Sequence, residues 1–278
     1  MSKFIGCNKD FDGSGIIIFG APSDGTASYR PGSRFAPAAI RNESYSIETY
    51  SPYLDRDLGD IKFFDAGDIE LCFGNTEKIL SQIEEFTKEI LDKNKLPVML
   101  GGEHLVTLGA VRAAFKKYPD LNIIHFDAHA DMRDNYLGEK LSHATVMRRC
   151  HDLVGDNKIY QFGIRSGERE EFIFCEEHNF INKFNFKNLE ETLNKIKNKP
   201  VYFTIDLDIL DPADLPGTGT PEAGGVRFCE LLAAVSEVLR LNKNIAGIDI
   251  TELSPPYDSG GQSTSLACKL LREILLGV

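Results

Sequence analysis

The sequence predicts an α/β fold built on a mainly parallel sheet that is covered by helices on both faces. Three observations carry this. Short apolar runs alternate with amphipathic stretches along the whole chain. The runs are apolar at successive positions rather than at every second one, as in strands buried on both faces. Ionisable residues cluster just after those runs, at the strand ends where open α/β sheets bind ligands.

The elements follow in order. Gly15–Gly20 (Gly-Ile-Ile-Ile-Phe-Gly) reads as a buried strand and Ile61–Ala66 as a second. Lys78–Lys93 sets Ile79, Ile83, Phe86 and Ile90 at helical spacing. Pro97–Leu100 is a strand, Leu105–Lys117 a helix, and Leu121–Phe126 and Ile159–Gly163 are strands. Leu189–Lys197 (helix), Val201–Ile205 (strand), Cys229–Leu241 (helix), Ile245–Ile250 (strand) and Ser263–Leu276 (helix) complete the pattern. No repeat, low-complexity segment or Pro/Gly/Ser-rich linker divides the chain, so residues 1–278 are expected to form one domain. Gly20–Pro37 and Asp131–His143 are long polar loops, and long loops in compact domains tend to be functional.

Composition narrows the function. The 278 residues carry 31 Lys+Arg against 42 Asp+Glu, a net charge of −11. That balance argues against nucleic acid, whose phosphates require a basic surface, and against a polybasic membrane anchor. It suits small cationic substrates or metal ions, although acidity also serves solubility. The longest apolar stretch, near Gly15–Pro22, is far short of the roughly 18 residues that span a bilayer. No long apolar run follows Met1, so the expected location is cytoplasmic. The cysteines at 7, 72, 150, 175, 229 and 268 contain no Cys-x-x-Cys and fit reduced thiols.

The chemistry sits at strand ends. Gly101-Gly102-Glu103-His104 follows one strand and Asp127-Ala128-His129-Ala130-Asp131 another. Asp206-Leu207-Asp208-Ile209-Leu210-Asp211-Pro212 and Asp249-Ile250-Thr251-Glu252 follow two more. In extended chain alternate side chains share a face, which would point Asp127, His129 and Asp131 one way and pair Asp206 with Asp208. Converging carboxylates repel and are costly to bury; one divalent cation or a pair removes that cost. Oxygen and imidazole donors without thiolate suit Mn²⁺. Taken singly, Asp206-x-Asp208 also reads as a strand end and capped turn, and His104 as a satisfied core histidine. Four of the six histidines, however, fall between 104 and 143. Dinucleotide-binding, serine-elbow and His-Glu-x-x-His motifs are absent.

These motifs, with Ser142-His143, Gly217–Gly225 and Glu252-Leu253-Ser254-Pro255-Pro256, resemble the arginase–agmatinase (ureohydrolase) family, in the family's order and over nearly the whole chain. Arg30-Pro31-Gly32-Ser33-Arg34-Phe35-Ala36-Pro37 and Gly217-Thr218-Gly219-Thr220-Pro221-Glu222 resemble the agmatinase branch. The resemblance implies a three-layer α/β/α sandwich and two Mn²⁺ per subunit. His104, Asp127, Asp131 and Asp206 would hold the first ion. His129, Asp127, Asp206 and Asp208 would hold the second, with Asp127 and Asp206 bridging. It also implies His143 as a proton shuttle, Glu252 as the acid that orients a guanidinium, and a homo-oligomer, trimer or hexamer. Glu103 and Ala144 depart from residues frequent in the family, Asp and Gly.

The implied reaction is hydrolysis of a guanidinium C–N bond, agmatine plus water giving putrescine plus urea, with Asp131 and His143 moving the proton to the leaving amine. A net charge of −11 favours a doubly cationic substrate such as agmatine. Arg133 could instead meet an anionic tail, unless it pairs with Asp134 or Glu139. The alternatives are arginase, guanidinobutyrase, formiminoglutamase, an aminopropyl-agmatine hydrolase, or a non-catalytic metal-binding relative.

Overall fold

The computed structural model describes residues 2–278. Its frame is an eight-stranded sheet ordered β4-β1-β5-β10-β9-β6-β7-β8. The strands are β1 (Ile16–Ala21), β4 (Phe63–Asp68), β5 (Leu96–Gly101), β6 (Asn122–Phe126), β7 (Ile159–Ile164), β8 (Phe180–Lys183), β9 (Val201–Asp206) and β10 (Ile245–Thr251). Every ladder in this sheet is parallel. A separate two-residue hairpin, β2 (Tyr50–Ser51) and β3 (Arg56–Asp57), is antiparallel.

Apolar runs on the strands feed two cores at once. Within β1, Ile17 and Phe19 enter one core and Ile18 the other; in β9, Tyr202 enters one while Phe203 and Ile205 enter the other. Against the Ile17 face pack α2 (Thr76–Asp92), α3 (Val106–Lys117), α4 (Val146–Val154) and α5 (Arg169–His178), through residues such as Ile83, Val111, Met147 and Cys175. Against the Ile18 face pack α1 (Ala36–Glu43), α6 (Leu189–Lys195), α7 (Phe228–Leu241) and α8 (Gln262–Gly277), through Ile40, Leu193, Val235 and Leu271. The result is the expected α/β/α sandwich. Helix α2 shows the local logic: Asn75 caps it by accepting from Lys78 N at 2.9 Å, and Leu80, Ile83 and Ile90 bury one stripe.

All the strands and helices named from sequence are present, within two residues at each end. Helices α1, α4 and α5, edge strand β8 and the hairpin were not anticipated. The four central strands, β5-β10-β9-β6, are neighbours although β5 and β6 follow one another in sequence. The chain passes over two places that β9 and β10 later fill. This topological switch opens a crevice at the carboxyl edge, and His104, Glu252, Asp206 and Asp127 emerge from those four strands.

Candidate metal centre

Gly101-Gly102 ends β5 against the loop after β1. A Cβ on Gly102 would sit 2.0 Å from Ser23 O, so only glycine lets the two backbones meet, and Glu103 N then donates to Ser23 O at 2.8 Å. The Glu103 carboxylate accepts from Thr26 N at 2.8 Å and from the Thr26 hydroxyl. Thr26 Oγ1 accepts in turn from His143 N at 3.1 Å. Glu103 thus fastens two loops to the strand end rather than facing a metal. Burial is the largest influence on its carboxyl, pushed up to about 7.

His104 Nδ1 lies 3.0 Å from Asp127 Oδ2, 3.2 Å from Asp131 Oδ2 and 3.3 Å from Asp206 Oδ2. Its Nε2 lies 2.9 Å from Thr204 Oγ1, whose own hydrogen is used on Asp249 Oδ1 at 2.6 Å. Thr204 must therefore accept, which puts the ring hydrogen on Nε2 and leaves Nδ1 a bare lone pair. That buried atom has no hydrogen-bond partner, yet three carboxylate oxygens surround it. Such an arrangement is stable only with positive charge among the donors. Burial opposes a second proton on this ring, but the three surrounding carboxylates carry the His104 pKa well above its usual value. A divalent cation fits the same donor set.

A second group of donors adjoins the first. His129 Nδ1 is 3.0 Å from Asp208 Oδ2 and 3.6 Å from Asp127 Oδ1. His104, His125, Asp127 and Asp131 form one cluster with metal-binding spacing, and Asp127, His129 and Asp208 another. Asp127 belongs to both. The carboxyls behave accordingly. Burial first, then Asp127, pushes Asp131 up to about 7; burial, Asp208 and Asp127 push Asp206 well up. Asp127 goes well down: burial opposes this, but His125, His104 and His129 surround it.

The six expected donors do converge, though not by strand alternation. Strand β6 stops at Phe126, and Asp131 turns back with φ 53, a left-handed conformation. Its carbonyl accepts from Met147 N and Arg148 N at the start of α4. Beyond β9, Leu207–Ile209 is a 3-10 turn in which Asp206 caps Asp208 N at 2.8 Å, and Asp208 Oδ1 accepts from Ala128 N at 3.2 Å. Turns, not pleats, aim Asp131 and Asp208.

Three supports escaped sequence reasoning. His125 Nε2 is 2.7 Å from Asp127 Oδ2, while its Nδ1 is 2.9 Å from the Gln161 amide nitrogen, which also donates to Ala130 O. Alternation within β6 places His125 and Asp127 on one face and could have revealed this. Thr204 and Asp249 orient His104, with Tyr202 donating to Asp249 at 2.7 Å. Arg165 binds the loop after Asp208 through backbone carbonyls.

A cavity of about 220 Å³ opens over the cluster, lined by His104, His129, Asp131, Asp206 and Asp208 together with His143 and Glu252. His143 Nε2 is 3.3 Å from Ser28 Oγ, and its ring stands edge-on to Tyr136; burial lowers its pKa. Glu252 adopts φ 65, and its Oε1 accepts from His104 N at 2.8 Å. Burial, then Glu103 and Asp208, pushes its carboxyl well up. The expected pairing of Arg133 with Asp134 or Glu139 is not what the structure holds. Arg133 meets Glu168 at 3.1 Å and Glu171 at 3.4 Å, both from the unanticipated α5 segment, and lies over the Tyr136 ring. Asp134 pairs with Arg149 instead.

The model of the family described as "Arginase family" matches residues 14–277. An agmatinase of Bacillus subtilis is 51% identical over 99% of this chain and 95% of its own length. A solved structure from Clostridium difficile, 50% identical, superposes with a TM-score of 0.94 over 96% of this chain and 98% of that one. The agmatine ureohydrolase of Thermoplasma volcanium is 34% identical, with a TM-score of 0.90 over 100% of this chain and 94% of its own. With the family model covering nearly the whole chain and the donors converging in one crevice, the chain belongs to the arginase family and is a ureohydrolase, an enzyme of amidino C–N bonds.

Proposed function

We propose that residues 1–278 act as one domain that hydrolyses agmatine to putrescine and urea with two Mn²⁺ ions bound. The observation that carries this is the bare Nδ1 of His104 among three carboxylates, beneath a cavity whose wall includes Glu252. His104, Asp127, Asp131 and Asp206 would hold one ion; His129, Asp127, Asp206 and Asp208 would hold the other. Bound there, divalent ions lower the pKa of water toward neutrality and offset the carboxylates' charge.

The protein's own groups do the rest. Guanidinium is planar and pairs with carboxylate in a fork. Glu252 Oε1 already accepts from the His104 amide, which fixes the carboxylate plane and leaves Oε2 for the substrate. Asp131, itself one of the donor cluster, accepts a proton from the attacking water. His143, at the mouth with its backbone held by Thr26, hands a proton to the departing amine.

The tail reading rests on the far wall. Arg133 is the positive group there, and it is paired with Glu171 on the same wall and with the exposed Glu168 outside it. A carboxylate tail would meet Glu171 with Arg133 already engaged, whereas an ammonium tail meets an arginine whose charge Glu168 and Glu171 offset. The test is urea release by Mn²⁺-loaded protein from agmatine, arginine, guanidinobutyrate and aminopropyl-agmatine side by side. Agmatine should lead; preference for arginine or guanidinobutyrate would overturn the assignment.

A further inference from the structure

We propose a second cation site, outside the ureohydrolase centre, formed by His151, Asp156 and His178 and suited to a zinc-like ion. His151 Nε2 lies 2.9 Å and His178 Nδ1 3.0 Å from the same oxygen, Asp156 Oδ1. The donor atoms of all three residues lie within 4.8 Å of one another. A tetrahedral ion with bonds of about 2.0 Å needs donor–donor edges of about 3.3 Å, so the cluster is preformed to within a few tenths of an ångström on two edges.

Several independent features hold it that way. His151 is in the last turn of α4 and His178 is the last residue of α5, so two helix C-termini, the negative ends of their dipoles, point at the cluster. Asp156 sits in the turn between Gly155 (φ 80) and Asn157 (φ 59), and Asn157 N donates to His178 O at 2.7 Å. Phe174 packs against both imidazoles, at 4.9 and 4.4 Å between ring centroids. In the metal-free form the ring nitrogens facing Asp156 donate to its carboxylate; an ion bound there would displace those hydrogens and leave the His151 hydrogen on its buried Nδ1. The neighbouring cation, Arg148, is turned onto the Phe174 ring at 4.0 Å and pairs with Asp152.

Two imidazoles and one carboxylate favour Zn²⁺, Ni²⁺ or Cu²⁺ over Mn²⁺, since affinity at such donors rises along that series of metals. The half-exposed Asp156 leaves a fourth position to water. The site lies away from the cavity: α4 leaves the His143 turn and runs about 13 Å, at 1.5 Å per residue, to its end. An ion here would tie the far ends of α4 and α5, two helices whose near ends carry His143 and the partners of Arg133.

The test uses the Mn²⁺-loaded protein, cleared of free metal, equilibrated with Zn²⁺, desalted and analysed for both metals. Wild type should retain one more Zn²⁺ per chain than His178→Gln or Asp156→Asn, with manganese equal in all three. Zn²⁺ should also raise Tm in wild type and not in the variants, because only the folded chain presents the three donors together. Urea release by the Mn²⁺ forms should be the same for all. Both changes fall on partly exposed side chains, so folding is preserved. Equal zinc in wild type and both variants overturns the site.

Discussion

Arg165 Nη2 donates to the main-chain carbonyl of Asp208 at 2.8 Å. The same guanidinium also reaches the carbonyls of Ile209, Leu210, Glu222 and Ala223. One side chain from the end of β7 thereby fixes the 3-10 turn that aims Asp208 and the returning limb of the loop that brings Thr220 to the cavity. Lysine has no planar fork to span these acceptors.

Arg165→Lys and Arg165→Met should both loosen Asp208. Hydrogen bonds from a charged donor contribute about 1.5–3 kcal/mol each, so losing two costs at least tenfold in activity. The revealing measurement is manganese content: one ion should weaken while the other stays. Full occupancy of both ions in Arg165→Met would remove Arg165 from this role.

Asp206→Ala should empty both metal positions, because Asp206 is a proposed bridge, whereas Asp208→Ala should retain one ion. Metal analysis after gel filtration distinguishes them. Two tightly held ions in Asp206→Ala would refute the bridging assignment.

Glu252→Gln should keep the fold and the manganese, since the His104 amide can still donate to the side-chain oxygen. Loss of the charged partner for guanidinium in a desolvated site costs several kcal/mol, at least about a hundredfold in rate. Near-normal urea release from agmatine would exclude Glu252 from the site.

Asp120 offers a test of electrostatics far from the crevice. Hydrogen bonds from Lys158 and then Lys199 lower its carboxyl to about 2. A depressed carboxylate stabilises the fold above its unfolded value, near 3.9, and that contribution vanishes as pH falls through about 2. The side chain is half exposed, so Asp120→Asn should cost under about 1 kcal/mol at pH 7. The difference should shrink in molar salt. A cost that is salt-independent in denaturant titrations would point to packing instead.

A trimer or hexamer is expected on the family resemblance, and sedimentation at micromolar concentration should give three or six chains. A monomer would refute it.

Much of the centre was legible because chemistry-bearing residues stand directly after apolar runs. His104, Asp127, Asp206 and Glu252 each emerge from a strand that periodicity finds. What periodicity could not supply was direction. Asp131 and Asp208 reach the cluster through a left-handed residue and a 3-10 turn, both set by hydrogen bonds to segments distant in sequence. Thr204 and His125 were overlooked because a single polar residue inside a buried strand looks incidental until its partner across the sheet is known. The Arg133 partners were missed with α5, whose charged first turn and Phe-Ile-Phe run give little amphipathic contrast.

The cavity's two walls come from different parts of the chain. Strand ends supply the carboxylates over which bond cleavage is proposed, and Arg133 with Glu171 of α5 supplies the far side, backed by Glu168 at the helix start. Glu168 touches no proposed metal ligand, whereas Glu171 also accepts from Met132 N at 2.8 Å, beside Asp131. An evolving lineage, or an engineer, would therefore retune the charge met by a substrate tail at Arg133 and Glu168, leaving Glu171 and the part proposed to break the bond as they are.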